Sequence, residues 1–182
     1  MKTYSILLRG INVGGHKKVP MADLRELLSK VGFNDVRTYI QSGNIVLQSS
    51  ESSIQNIEKR IQIAILDRFG FGVPVIAKTQ NELLNIFDAC PFSEEKKANS
   101  YFILLDQIPD SKLVESVLGL SYENEEFQII HSCIYFYSST GYGRTKFNMN
   151  TFEKKLNVKA TSRNYRTIVK LIAMSNEGNK DH

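Results

Sequence analysis

The chain has 182 residues, 42% of them hydrophobic and 23% charged, and carries a net charge of +4. A protein of that length buries about two-thirds of its unfolded surface, and the composition is that of a globular protein, so disorder away from the two ends is excluded. Two cysteines, Cys90 and Cys133, exclude a disulfide framework or zinc knuckle, and no segment has the ~20 apolar residues that span a bilayer.

Tyr4 to Leu8 is a short apolar run that reads as a buried strand, reached without the long apolar region of a signal peptide. A reducing cytoplasm is therefore the expected compartment. A glycine-rich loop, Ile11 to Val19, leads to Pro20, which opens a helix at the position where a missing N–H costs least. Met21, Leu24, Leu27, Leu28 and Val31 repeat at helical spacing, and Gly32 ends the run. Strands over Val36 to Ile40 and Asn44 to Leu47 are joined through Gln41-Ser42-Gly43, where Ser-Gly suits a turn with positive φ. A helix from about Ser53 to Phe69 buries Ile54, Ile57, Ile61, Ile65 and Leu66, and Val73 to Ala77 is a further strand. The order β-α-β-β-α-β over residues 4 to 77 is the ferredoxin-like one.

Thr79 and Glu82 have capping-box spacing for a short helix reaching about Ala89. Pro91 to Asn99 is polar and reads as a linker. The pattern then restarts: Tyr101 to Leu105 echoes Tyr4 to Leu8, Lys112 to Leu120 is helical, and Phe127 to Ile130 and Ile134 to Tyr137 are strands. Helices follow from about Met149 to Leu156 and from about Asn164 to Met174. The expected fold is α+β, two ferredoxin-like β-α-β-β-α modules packed as one compact protein, with internal duplication. The modules span 1–78 and 100–176, with a helix and linker over 79–99 and a flexible tail over 177–182.

In a split β-α-β unit the first and second strands run parallel with the third between them, so the first loop and the hairpin turn emerge together. This brings Arg9, Asn12, His16, Lys17 and Lys18 beside Gln41, Ser42 and Asn44. Glycines that let backbone amides approach a ligand, followed by a helix N-terminus, suit an anion. Pro20 and Asp23 weaken that potential. Two readings stand: an anion-binding edge, or a solvated connector whose glycines only permit the turn.

A second patch is Thr140 to Lys146, where Tyr142 sits between two glycines in an exposed loop and Arg144 and Lys146 could clamp a phosphate or carboxylate. Downstream, Thr161-Ser162-Arg163-Asn164 sets an N-cap for the last helix. Arg163 and Asn164 join the candidate site, or Ser162 is simply the cap and Arg163 a surface charge.

Several functions are set aside. Neither glycine loop has dinucleotide-fingerprint or Walker spacing. The third strand, Asn44 to Gln48, has no aromatic to stack a base, which removes the platform of an RNA recognition motif. His16, His131 and His182 are scattered without ligand spacing, so no metal is expected. His131 and Cys133 fall at a hairpin turn and read as structural, like Cys90 before Pro91. The aromatics from Phe127 to Tyr165, Tyr142 excepted, read as core.

Leu7 to Gly15, Pro20-Met21 and Tyr39 to Asn44, with Gly143 to Lys146 and Ala160 to Asn164, resemble the signatures of the bacterial domain of unknown function 1697 family. The resemblance runs from about residue 4 to 175, with Thr145 where the family more often has serine. It implies two ferredoxin-like halves and no catalytic assignment, and its signatures coincide with the two loop regions above.

The leading expectation is a small phosphorylated or carboxylated ligand bound at these loops, with or without catalysis. No nucleophile, general base or cofactor is indicated. The alternatives are non-specific nucleic-acid binding through the basic C-terminal third, or a non-catalytic module that self-associates through open sheet edges. No membrane partner is expected, and the oligomeric state is left open.

Overall fold

The computed structural model describes residues 1–177. Its elements run β1 (Lys2–Leu8), α1 (Met21–Lys30), β2 (Asn34–Tyr39), β3 (Asn44–Ser49), α2 (Ile54–Phe69), β4 (Val75–Thr79), α3 (Gln80–Asp88) and α4 (Glu94–Ala98). They continue with β5 (Tyr101–Leu105), α5 (Ser111–Leu118), β6 (Glu125–Ile130), β7 (Cys133–Ser138), α6 (Met149–Leu156), β8 (Ala160–Asn164) and α7 (Tyr165–Glu177). One unit comprises Met1–Leu84 with the chain from Val169, the other Asn85–Ile168. Each holds a four-stranded antiparallel sheet, in the orders β2-β3-β1-β4 and β6-β7-β5-β8. Both are the ferredoxin-like arrangement, so the fold is α+β with two such modules.

In the first unit β1 lies between β3 and β4 and is buried on both faces from Thr3 to Leu8, which is why it reads as a continuous apolar run. Tyr4, Ile6 and Leu8 face one core with Met21, Leu24 and Leu28 of α1 and Ile57, Ile61 and Ile65 of α2. Leu66 is 49% exposed and does not belong to that stripe. It follows Ile65 by one helical step, about 100° around the axis, and Ala64 is buried instead. On the other face Ser5 meets Ser175 of α7 at 3.2 Å, and Arg37 donates to the Met174 carbonyl at 2.8 Å.

The second unit differs from its expectation in three places. The segment before the last helix is not a loop: Ala160–Asn164 forms β8 and pairs antiparallel with β5 from Tyr101↔Asn164 to Leu105↔Ala160. The helix cap is Asn164, whose Oδ1 accepts the Thr167 amide at 2.9 Å, and not Ser162. The expected linker contains α4, a five-residue helix capped by Ser93. It is polar in sequence because its one buried side chain is a lysine: Lys97 lies 3.9 Å from the centroid of the Phe87 ring. The capping box of α3 forms as expected, with Thr79 and Glu82 exchanging side-chain-to-amide bonds at 2.8 and 3.2 Å. His131 and Ser132 make the two-residue turn between β6 and β7. Beyond Glu177 the expected tail, with His182, lies outside the described residues.

One buried group gives this unit a pH signature. The Tyr135 hydroxyl is buried and donates to the Ile86 carbonyl at 2.6 Å. Burial, then the neighbouring Cys133 and Cys90 thiols, holds its phenol far above the ordinary value. Above about pH 10 the unfolded chain ionises this phenol while the folded chain keeps the proton, so stability falls as pH rises, by at most about 1.4 kcal/mol per pH unit. The folded pKa of Arg163, lowered by burial to about 10, acts in the opposite sense over the same range. The two separate by subtraction: unfolding free energies of wild type minus Tyr135→Phe shrink steadily from pH 9 to 11. A difference constant across that range would contradict the assignment.

Candidate functional site

The strand order brings three connections to one end of the first sheet. Leu7 pairs with Asn44, Leu8 with Val75, and the Arg9 amide bonds to the Pro74 carbonyl at 3.1 Å. The loop after β1, the β2–β3 turn and the segment before β4 therefore lie side by side. The expectation for the first two follows from the order of elements. The third, Gly70 to Pro74, was not expected there, although β4 running antiparallel to β1 requires it.

The loop after β1 is a small hairpin. Val13-Gly14-Gly15-His16 closes with the His16 amide on the Val13 carbonyl at 3.0 Å, and the Asn12 amide reaches the Lys17 carbonyl at 3.1 Å. Gly14 and Gly15 have φ of 57° and 79°, the pair of positive angles a type I′ turn needs. Asn12 is the clamp of the loop. Its Oδ1 accepts the Val19 amide at 2.8 Å, while its Nδ2 donates to the carbonyls of Val19 and Gln41 at 3.0 and 2.8 Å. Asn44 is buried and holds the turn from inside, donating to the Tyr39 carbonyl and the Ser42 hydroxyl. Lys17 donates to the Gly72 carbonyl at 2.9 Å, with its ammonium over the Phe71 ring. Three of the expected residues thus build the site's walls.

What these walls enclose is an open cleft of about 420 Å³ lined by Asn12, Gly15, Lys18, Val19, Pro20 and Gln41. Lys18 and His16 are exposed, and neither side chain bonds to a described residue. No Asp or Glu occurs in residues 9–20, 40–43 or 70–74, so the cations of the first loop meet no acid from these three segments. Pro20 is the N-cap of α1 and offers no side-chain cap, which leaves the first amides of the helix available. Asp23, in the first turn, lies 3.9 Å from Arg68. Val13, Ile40 and Pro20 are the residues here that polarity-based reading passes over.

Ile40 is the strained position. It was expected to end β2, but it leads the turn with φ of 49° and is 53% exposed. A β-branched residue in the left-handed region is an outlier whose strain is of order 1 kcal/mol. Ile40→Gly is expected to raise stability by about 1 kcal/mol in urea unfolding, and a loss of stability would show that the side chain contributes packing.

The second patch lies at the far end of its own sheet from the β6–β7 turn, after β7 rather than after the first strand. Tyr142 is not exposed as expected. It opens a single 3₁₀ turn, Tyr142–Arg144, and its ring stacks on Tyr101 at 4.2 Å and meets Phe136 edge-on, because Gly141 turns the chain back over the sheet. The Lys146 and Phe147 amides are occupied by the Glu125 carboxylate at 2.5 and 3.0 Å. Arg144 and Lys146 are exposed, and the neighbouring amides already hold a carboxylate the chain supplies itself. Thr145 donates to the Tyr142 carbonyl at 3.0 Å, a bond a serine hydroxyl would equally make. Arg163 is buried in β8 and is no surface charge. It donates to the Thr161 hydroxyl and the Ser162 carbonyl, both at 2.8 Å, and burial pulls its guanidinium down to about 10. Among the described residues no group of three or more His, Cys, Asp or Glu could hold a metal ion. No described helix is long and apolar enough to cross a membrane.

Fold and sequence together define a double ferredoxin-like α+β protein whose glycine-rich, cationic first loop is clamped onto a hairpin turn. The chain belongs to the family described as protein of unknown function DUF1697, whose model matches residues 1–135. That match takes in the whole first loop and turn and ends before the second patch. A solved structure of a conserved bacterial protein from Streptococcus pneumoniae is similar, at 26% identity and a TM-score of 0.78, over 97% of this chain and 99% of that one. No curated protein matches.

Proposed function

We propose that the cleft between the first loop and the β2–β3 turn binds a small anion, a phosphate or carboxylate. The observation that carries this reading is the absence of any acid from the three segments that meet there, beside a cleft with a lysine in its wall. In such a setting each cation raises the local concentration of anions. Lys18 neutralises the ligand's charge. The uncapped start of α1 offers amide donors and positive potential on the same side. Asn12, Asn44 and Lys17 act indirectly, by holding the walls in place. The second patch supports the reading less, since Glu125 already fills its amides.

Titration calorimetry with inorganic phosphate and with acetate, against wild type and Lys18→Glu, tests the proposal. Charge-assisted hydrogen bonds set the expected scale. The variant should bind at least about tenfold more weakly while melting at the wild-type temperature, because Lys18 is exposed. Equal affinity in the two proteins would remove Lys18 from the site.

A further inference from the structure

Two large apolar side chains stand exposed where stability alone would not put them. Val13, at the corner of the type I′ turn, is 67% exposed. Ile40 is 53% exposed and carries the positive φ described above. The bond from Asn12 to the Gln41 carbonyl ties together the immediate neighbours of both, at 2.8 Å. Both therefore adjoin, along the chain, residues that line the cleft, Asn12 and Gln41, and that lining also includes Lys18, Val19 and Pro20. Asn or Gly would satisfy the Ile40 backbone better, and exposure gives the isoleucine little burial in return.

We infer that the ligand of this site is an amphiphilic anion: a phosphate or carboxylate carrying an aliphatic group that covers Val13 and Ile40. This rests on the anion-binding reading above and names the class of molecule it takes. Charge complementarity fixes the anionic end, and the paired apolar side chains fix the rest. A simple inorganic anion would leave both exposed. Because the cleft is open to solvent, only the first few methylenes of the ligand are covered.

The test is a series of soluble alkyl phosphates, from methyl to butyl to hexyl, titrated against wild type and a Val13→Ser/Ile40→Asn double variant. Affinity for wild type should rise about two- to fourfold per methylene over the first carbons, the gain that covering a CH₂ gives, and then level off. The double variant should flatten that slope. Its melting temperature, expected at or above wild type because Asn tolerates positive φ, verifies that it is folded. Methyl phosphate that binds with no gain along the series would overturn the amphiphile while leaving the anion site standing. No binding by any member would overturn both. Sedimentation with vesicles containing phosphatidic acid distinguishes the source of the headgroup. Capture by vesicles with no affinity for soluble alkyl phosphates would contradict a small-molecule site.

Discussion

Gly43→Ala is expected to cost about 3 kcal/mol and to lower the melting temperature by roughly 10 °C. A Cβ at this position would lie 2.6 Å from Cβ of Leu8 and 3.0 Å from Cδ1 of Ile11, both fully or nearly fully buried. Neither can move without shifting β1, because the Leu8 amide bonds to the Gly43 carbonyl at 2.8 Å. The residue also has φ of 78°, which adds the left-handed cost any L side chain meets there, about 1–2 kcal/mol. Since Gly43 joins the β2–β3 turn to the end of β1, the same substitution displaces one wall of the cleft. Ligand affinity should fall with stability, whereas Lys18→Glu affects affinity alone. That contrast separates a residue that shapes the site from one that contacts the ligand.

Phe152→Ala should destabilise the second unit by about 4 kcal/mol, with the loss read by far-UV circular dichroism in urea, since the chain has no tryptophan. The ring is fully buried, stacked on Phe147 at 4.4 Å and edge-on to Phe127 at 5.0 Å. It sits in a column of aromatics running from Tyr101 through Tyr142, Phe136 and Phe147. Removing it leaves a cavity bounded by rings that cannot collapse into it, and edge and stacking contacts go with the buried area. A cost below about 1 kcal/mol would mean that this unit's core lies elsewhere.

How much of this was legible in the sequence follows from what each element buries. β1, α1 and α2 bury mostly apolar side chains, with Thr3 and Ser5 the buried polar residues of β1, and the hydrophobic pattern reads them correctly except at Leu66. β8 could not be read that way. Its buried residues include Thr161 and Arg163, and what makes it a strand is a ladder to β5, a partner 63 residues away at Tyr101↔Asn164. α4 escaped for the same reason, its buried residue being Lys97. Tyr142 was read from its glycine neighbours as exposed, but the glycines serve to fold the ring inward. At the site, strand order alone placed the first loop beside the hairpin turn. It did not reveal that Asn12 and Lys17 would be engaged in holding the loop. Polar residues in glycine loops satisfy their own backbone first, and only coordinates show which remain for a ligand.

Thermal unfolding of wild type and Lys18→Glu in increasing inorganic phosphate at constant ionic strength tests the anion site most directly. A ligand at about 100 times its dissociation constant adds about 2.7 kcal/mol, a rise of roughly 5–10 °C for a chain of this size. A saturable rise in wild type that is lost in Lys18→Glu is the predicted result. The same rise in both proteins, or none in either, would contradict an anion site at this end of the first sheet.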